Sequence, residues 1–473
     1  MSVPSPLYVL DCEDVAWFRD DPGLPSAARG AAATLARRIG LDGYRSSEVA
    51  LAVTEAATNL QRHASDGALL LRVLRTPERA GVEFVTVDTG PGMADVEAAL
   101  SDGTSTAGTL GIGLGAVARL ADAFDIHSIP GRGTVMAAQF WARGQGAAPT
   151  GGTPDGPALS VASGLTRPIS GESTCGDAWA VRVDPGPDRD ARSGPDARSG
   201  GYGEGEGPGA HGAYGGSGGS AAHGAYGGVG GSGAYNAYSG SGAHGGSGAH
   251  GAYGETGGSG AYGRSGSGAH GAYGETGGSG AYNTYGRSGG SGAHGAYGTT
   301  GAAPSPEPAI LVMLCDGLGH GPLAALAGEA AVKAFRQSAA RHPEGLLRDI
   351  HTALRGTRGG AVAVARIEPS AQRLLYCGIG NVSGVLLGPD SRNGLLSAPG
   401  IVGQQMRSLR TFELPLKPGG ALVMHSDGLT ERWKADDLPG LLRHSPAVMA
   451  GQLLREAGVR RDDAGIVVVK GAW

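Results

Sequence analysis

The segment EAATNLQRHA, residues 55–64, places Glu55 and Asn59 four residues apart in a run with helical spacing of apolar residues. Residues four apart on a helix project from one face, so the two side chains can serve one site. The asparagine oxygen can bind a magnesium ion, and the glutamate can take a proton from an attacking hydroxyl. Alone, such a pair is more typical of a solvated helix surface, so the segments around it decide between the two interpretations.

Glycine-rich motifs follow this helix along the chain. VDTGPGM, residues 87–93, places Asp88 at the end of a predicted strand, with Gly90 and Gly92 where the backbone must turn sharply or approach a ligand. GTLGIGLGAV, residues 108–117, then supplies four glycines directly before a helix, namely Gly108, Gly111, Gly113 and Gly115. Backbone N–H groups at such a helix start bind phosphates. No strand runs directly into this loop, so the motif is not the dinucleotide fingerprint.

The elements around these motifs predict helices on one face of a mixed sheet. Helical spacing predicts a helix over residues 46–63, with Ser46 and Ser47 as plausible N-caps. The other predicted elements are a helix over residues 26–39, strands over 68–74 and 81–88, a helix over 115–124 and a hairpin that turns at 130–133.

The order of the motifs, which ends in GRGT at residues 131–134, resembles the ATPase superfamily of gyrase, its heat-shock chaperone relative, histidine kinases and mismatch-repair ATPases. Within it, EAATNLQRHA and the compact length resemble the anti-sigma-factor serine kinases. The resemblance covers about Ser26 to Trp141 and implies an ATP site. In this implied site, Asp88 binds the adenine amino group, and Thr134 lies near the adenine end. Asn59 binds Mg²⁺, the glycine loop lies over the phosphates, and Glu55 is the general base.

A second set of acidic residues lies beside apolar strands in the other half of the chain. Its members are Asp177 in CGDAW, Asp316 in CDGLGHG, Asp427 in HSDGLTE, and Asp462 with Asp463 in RDDAG. Hydrolysis of a phosphate ester at neutral pH needs a water made acidic by a metal ion, and hard divalent ions take oxygen ligands. A single Asp-Gly is usually a turn. Four such elements beside strands predict a metal site.

DGLGHGPLAA, SDGLTE and RDDAG, in this order, resemble the 2C-like metal-dependent protein phosphatases, in the branch typified by the stage II sporulation protein E phosphatase domain. The resemblance implies ligands for two Mn²⁺ or Mg²⁺ ions, namely Asp316, the Gly317 carbonyl, Asp427 and Asp462, with Asp177 and Asp463 as further metal-binding residues. Asp316 and Asp427 would be essential for hydrolysis of a phosphoserine or phosphothreonine. The sequence departs from the family at CGDAW, where relatives often carry Gly-Gly-Asp, and at Gly465, where they often carry threonine.

A glycine-rich stretch lies between the ATPase-like motifs and most of the phosphatase-like motifs. Most of the 90 glycines lie between about Gly186 and Gly301, with Ser, Ala, Tyr and His around them. Such a stretch cannot bury a core, so a long disordered insert is predicted, although its Tyr and His could support weak self-association or metal binding. The predicted domains are an ATPase domain at 1–145, a linker at 146–157 and a phosphatase domain at 158–473, with the insert at 186–304.

The fold class is therefore α+β. It combines an N-terminal α/β sandwich of the gyrase and histidine-kinase ATPase type with a 2C-like β-sandwich flanked by helices. The net charge is −5, without a long basic run, so neither nucleic acid nor an anionic membrane is an expected partner. Four scattered cysteines fit a reducing compartment, and no apolar run reaches membrane-spanning length, so a cytoplasmic location is predicted.

Together, the two resemblances imply a bacterial signalling regulator, of the stress-response kind, with opposed kinase and phosphatase domains. In partner-switching pathways, a phosphorylated anti-sigma antagonist or a related regulator is the partner. The alternative is a non-catalytic module that uses ATP only as a structural ligand and sequesters a sigma factor or antagonist. A homodimer is compatible with either function.

Overall fold

The computed structural model describes residues 9–19, 21–76, 78–101, 113–143, 160–186, 307–406, 408–434, 437–459 and 461–473. Gly108, Gly111, the predicted linker and nearly all of the predicted insert lie outside these ranges. The described residues belong to one unit of helices and antiparallel sheets, in agreement with the predicted α+β class. Across the described ranges, the helices are too short or too polar to span a bilayer.

The N-terminal part is a five-stranded antiparallel sheet in the order β1-β2-β3-β5-β4. Its strands are β1 (Asp11–Arg19), β2 (Ala68–Arg75), β3 (Ala80–Val87), β4 (Ala123–Ile129) and β5 (Gly133–Trp141). Its helices are α1 (Leu24–Arg38), α2 (Gly43–His63), α3 (Val96–Leu100) and α4 (Gly113–Leu120). Alternate strand residues on one face of the sheet, such as Leu71 and Phe84, form an apolar core with α1, α2 and α4. The helices on one face of the sheet agree with the prediction, but the predicted mixed sheet is wrong, since all four strand pairs of this sheet are antiparallel.

Three local predictions in this part were wrong or missing. Helix α2 begins earlier than predicted, because Asp42 caps it by accepting a hydrogen bond from the Arg45 amide at 2.7 Å, and Ser46 and Ser47 lie inside the helix. The helix predicted to residue 124 ends at Leu120, since β4 begins at Ala123. Strand β1 was not predicted.

The C-terminal part is a sandwich of two five-stranded sheets, in the orders β15-β10-β9-β8-β7 and β12-β11-β16-β17-β6, with a small β13-β14 pair. Its first strands are β6 (Ala162–Arg167), β7 (Asp177–Asp184), β8 (Ala309–Gly317), β9 (Gly360–Glu368), β10 (Arg373–Ile379) and β11 (Ser383–Gly388). The others are β12 (Ser391–Leu395), β13 (Gly400–Ile401), β14 (Gln405–Met406), β15 (Phe412–Pro415), β16 (Ala421–His425) and β17 (Ala464–Lys470).

Helices flank this sandwich, as predicted. They are α5 (Pro322–Gln337), α6 (Pro343–Leu354) and α7 (Pro446–Ala457), with a 3-10 turn at Leu441–Arg443. One apolar cluster fills the space between the sheets, and a second packs α5 and α6 against the outer face of β8, β9 and β10. The sequence predicts a helix over residues 322–339, which agrees with α5, whereas α6 and α7 are not predicted.

Strands β7 and β8 are antiparallel neighbours, and Asp184 lies opposite Ala309. The long segment between them therefore joins adjacent strand ends. At the other end of the pair, Asp177 lies opposite Asp316. The pairing thus brings together two of the acidic residues singled out in the sequence.

Helix α7 fills the space between the N-terminal sheet and the sandwich. It contacts β3, β4 and β5 on one side and β6 and β17 on the other. Every residue from Pro446 to Leu454 is buried, as expected of a helix enclosed on all sides. Its packing is tight at Gly451, where an added Cβ would lie 2.7 Å from Val135 Cγ1 of β5.

Buried hydrogen bonds also tie the two parts together. Arg72 on β2 is fully buried and pairs with Glu83. Its guanidinium donates to Gly164 O and to Ser163 Oγ on β6, each at 2.7 Å. Buried charges of this kind are stable only when their donors are satisfied. The N-terminal sheet and the sandwich therefore form one packed body, and functional tests require the full chain.

The packing of α7 makes a stability prediction. Replacement Gly451→Leu should lower the free energy of unfolding by about 1–3 kcal/mol, because the new side chain overpacks the helix against Val135. The matched control is Gly30→Leu in α1, where an added Cβ meets nothing within 4 Å. That change should be neutral or stabilising by about 0.5–1 kcal/mol, because glycine has a lower helix propensity than leucine. Urea unfolding of the full chain measures both, and equal effects would contradict the packing argument.

Candidate functional site

The N-terminal site forms where α2 ends beside the loop after β3. Glu55 and Asn59 are half-buried and one helical turn apart on α2. The Asp88 loop is close to the end of this helix, since an added Cβ at Gly90 would meet His63 O at 2.5 Å. The structure thus brings the helix that carries the predicted acid–base and Mg²⁺ residues next to the predicted adenine loop.

Asp88 is held by backbone groups. Its Oδ1 accepts hydrogen bonds from Gly90 N at 2.8 Å and from Thr134 N at 3.2 Å. Its amide donates to Thr134 O at 3.0 Å. No hydrogen bond from the described residues reaches Oδ2, so this oxygen can accept one from a ligand. Burial raises the pKa of Asp88, and the two backbone bonds and the charge of Arg455 oppose that shift.

The remaining predicted residues line the same region. Gly92 has a φ of +64°, and an added Cβ there would lie 2.2 Å from Ile129 O, so only glycine fits this turn. The Thr134 hydroxyl is 2.9 Å from Ser128 Oγ, which fixes its position beside Asp88. Gly113 and Gly115 lie in the first turn of α4, inside the helix rather than before it.

The second site lies at one end of the β7–β8 pair. Asp177 is buried, and its Oδ2 accepts a hydrogen bond from Ser426 Oγ at 2.6 Å. The same hydroxyl accepts a bond from Gly465 N at 2.9 Å. An added Cβ at Gly465 would lie 2.9 Å from Asp177 Cβ, so the departure from threonine at this position makes room for the Asp177 carboxyl. The role of Ser426 was not predicted, although it directly precedes Asp427 in HSDG.

The carboxyl groups of this site repel one another. Burial, followed by the charges of Asp177, Asp427, Asp462 and Asp463, raises the pKa of Asp316 to about 9. Burial and neighbouring carboxylates also raise the pKa of Asp177 to about 7, against the Ser426 hydrogen bond. The pKa of Asp427 is raised by burial and by Asp462. Buried like charges of this kind favour a bound cation or a shared proton.

The donor set fits a divalent ion chemically, since its members are carboxylate oxygens beside the Gly317 carbonyl at the end of β8. Within the described ranges, no three His, Cys, Asp or Glu side chains are yet gathered as metal ligands. Two carboxylates have other partners. Asn381 donates to Asp427, and Asp463 accepts from Ile169 N and Gly176 N, both at 2.7 Å. Asp463 therefore anchors two loops through both of its oxygens.

Comparison with known proteins identifies the N-terminal part. The family model for the histidine kinase-like ATPase domain matches residues 18–140. The serine/threonine-protein kinase RsbT of Bacillus subtilis (strain 168) is 32% identical over 117 residues, which are 25% of this chain and 88% of RsbT. The chain belongs to the histidine kinase-like ATPase family. Its ATPase domain contains the site built around Asp88.

The C-terminal part matches the family model for stage II sporulation protein E over residues 306–470. The phosphoserine phosphatase RsbX of Bacillus subtilis (strain 168) is 24% identical over 121 residues, or 25% of this chain. The chain covers 61% of the length of RsbX. The chain thus joins a kinase-like ATPase domain to a phosphatase domain. Strands β6 and β7 precede residue 306 but pair with β17 and β8, so they complete the phosphatase sheets.

Two solved structures resemble about a third of the chain. A protein of the bacterial stressosome has 27% identity and a TM-score of 0.32, covering 34% of this chain and 84% of its own. RsbX in complex with magnesium has 22% identity and a TM-score of 0.31, covering 34% of this chain and 80% of its own.

The Ser426 bridge makes a second stability prediction. Replacement Ser426→Ala should lower the free energy of unfolding by about 1–3 kcal/mol, because it leaves Gly465 N without its partner in a buried site. Ser47→Ala, which removes an exposed hydroxyl on α2, should stay within about 0.5 kcal/mol of the wild type. Thermal unfolding of the metal-free full chain compares the two. Indistinguishable midpoints would mean that the Ser426 bridge contributes no stability.

Proposed function

We propose that this protein sets the phosphorylation state of an antagonist protein in a partner-switching pathway. Its phosphatase domain would remove phosphate from a serine or threonine of the antagonist, and its ATPase domain would add phosphate back. The observation that carries this proposal is the presence, in one packed body, of a domain 32% identical to a serine/threonine kinase and a domain similar to a phosphoserine phosphatase. Both relatives come from one organism, and their names describe opposite reactions.

The proposal extends to organisation and setting. The ATPase domain would span residues 1–145 and the phosphatase domain 158–473, separated by a linker at 146–157 and interrupted by the insert at 186–304. The buried interface between the domains supports joint action on one substrate. We place the protein in the cytoplasm, as a stress-response regulator, with an anti-sigma antagonist and its sigma factor as the partners to test.

In the phosphatase domain, four groups would hold two Mn²⁺ or Mg²⁺ ions, namely Asp316, the Gly317 carbonyl, Asp427 and Asp462. Such ions, when bound, provide a water of lowered pKa and positive charge beside the phosphate oxygens. Asp177, fixed by Ser426, adds negative charge to the cluster. We predicted Asp463 as a further ligand, but its bonds to Ile169 N and Gly176 N favour a role in positioning the loops.

In the ATPase domain, the free Oδ2 of Asp88 would accept the adenine amino group, and Thr134 would lie at the same end. Asn59 would ligate Mg²⁺, and Glu55 would take the proton of the attacking hydroxyl. The backbone around Gly90 and Gly92 would close the adenine end. The segment from Gly108 through Gly111 and Gly113 to Gly115 would cover the phosphates.

The phosphatase prediction uses the full chain. Asp316→Asn and Asp427→Asn should each lower Mn²⁺-dependent hydrolysis of p-nitrophenyl phosphate at least about a hundredfold, the usual effect of removing one electrostatic group from a catalytic site. Metal-free stability of Asp316→Asn should be unchanged or higher, because its neighbours repel the Asp316 charge. Asp390→Asn, at an exposed turn, is the control. Undiminished hydrolysis in excess chelator would refute the metal site.

The ATPase prediction separates binding from transfer. Asp88→Asn should weaken ATP binding about tenfold or more, because a hydrogen bond to a charged group contributes about 1.5–3 kcal/mol. Glu55→Ala should leave ATP affinity unchanged and abolish transfer of labelled phosphate to a candidate antagonist. Calorimetry and the transfer assay measure the two effects. A wild-type chain that binds ATP but transfers no phosphate to any candidate would favour the non-catalytic binding module.

A further inference from the structure

Helix α7 belongs to the phosphatase domain, yet one of its side chains reaches the nucleotide site. Arg455 Nη1 donates to the Asp88 carbonyl at 3.4 Å. The Arg455 side chain is only 2% exposed, so this contact lies inside the interface between the domains. The loop that carries Asp88 is therefore in contact with both domains of the chain.

The guanidinium of Arg455 is incompletely satisfied. Its Nη2 donates to Glu456 Oε1 at 2.9 Å. Its Nε is buried, with no hydrogen-bond partner among the described residues. Burying a cation with an unused donor costs free energy. An apolar side chain would serve better if this position only filled space, so the arginine indicates a function at the Asp88 loop.

The same C-terminal end of α7 contacts the loop that carries Asp427. Two residues after Arg455, Ala457 O accepts a hydrogen bond from Thr430 N at 2.8 Å. Val459 N then donates to Gly428 O at 2.7 Å, and Gly428 directly follows Asp427. The Asp427 loop and the end of α7 are thus paired backbone to backbone. Arg455 is thus connected to the residues that follow Asp427 by about half a helical turn and two hydrogen bonds.

The N-terminal end of the helix is anchored separately. Ser445 N donates to Asp125 Oδ2 on β4 at 2.6 Å, and the ring of His444 lies 2.9 Å from Asp125 Oδ1. With this end anchored on the ATPase sheet, a rearrangement of the Asp88 loop would act at the C-terminal end of α7. Asp462 follows Ala457, the last residue of α7, by five positions in the sequence.

We propose that Arg455 is a positioning residue through which nucleotide bound in the ATPase domain orders the Asp427 loop of the phosphatase domain. The proposal rests on the proposed nucleotide and metal sites. A nucleotide that fixes the Asp88 loop also fixes Arg455, the last turn of α7 and the hydrogen bonds of Gly428 and Thr430. Because the coupling is a difference in binding free energy, metal bound at Asp427 must favour nucleotide binding by the same factor.

Hydrogen exchange on the full chain tests this coupling. Peptides that contain the Thr430 and Val459 amides are followed with and without ADP, at one fixed Mg²⁺ concentration. We expect ADP to slow their exchange at least about fivefold in the wild type, a typical size for coupling between sites. Arg455→Gln should lose this protection while calorimetry still detects ADP binding. The control is Arg443→Gln, an exposed arginine just before α7, which should behave as the wild type.

Each result has one meaning. Protection of the two amides that persists in Arg455→Gln, or that is absent from a wild type that binds ADP, overturns the inference. A wild type that does not bind ADP instead refutes the proposed nucleotide site. Should Arg455→Gln fail to fold, Arg455→Lys retains the charge without the planar fork, and we expect it to lose more than half of the protection. Full protection in Arg455→Lys would then overturn the inference.

Discussion

The burial of α7 between the ATPase sheet and the phosphatase sandwich is the constraint on which the rest of the structure depends. The ATPase sheet has two apolar faces. Leu71 and Phe84 face α1 and α2, whereas Leu70 and Val85 face α7 and β17. Without the phosphatase domain the second face would be exposed to water. Exposure costs a free energy of about 25 cal/mol for each Å² of apolar surface. The phosphatase domain therefore shields an apolar face of the ATPase sheet from water.

The phosphatase site shows a different balance of forces. Placing Asp316 opposite Asp177 in a buried pair of strands brings two charges together at a cost that raises both pKa values. A fold selected for metal-free stability alone would not keep this arrangement. Ser426 lowers the cost by its hydrogen bond, and Gly465 allows it sterically. The electrostatic repulsion is therefore concentrated at the place where a bound cation would reduce it.

The sequence was sufficient for the parts of the fold that local patterns encode. Helix α2 and strands β2 and β3 were predicted because spacing and apolar runs determine them. Elements whose partners are distant were missed. Strand β1 extends alongside β2 and reaches β6 through hydrogen bonds such as that from Trp17 Nε1 to Thr166 O at 2.6 Å, and no local pattern encodes this contact. Helix α7 was missed although its composition is helical, because nothing in the sequence shows which surfaces enclose it.

The candidate sites followed the same division. The motifs located Asp88, Asp316 and Asp427, since turns and strand ends leave clear residue patterns. They did not distinguish Asp463, whose oxygens bind backbone amides, from its neighbour Asp462. They also could not place Arg455 beside Asp88, because the two residues are 367 positions apart in the chain.

The β7–β8 pair has a practical consequence for work with this protein. Asp177 and Asp184 stand at opposite ends of an eight-residue strand, and at about 3.3 Å per residue they are separated by roughly 23 Å. Chain that enters and leaves at Asp184 and Ala309 does so at the end of the pair remote from the acidic cluster. A fluorophore, an affinity tag or a whole reporter domain introduced at this junction would therefore lie away from the acidic cluster.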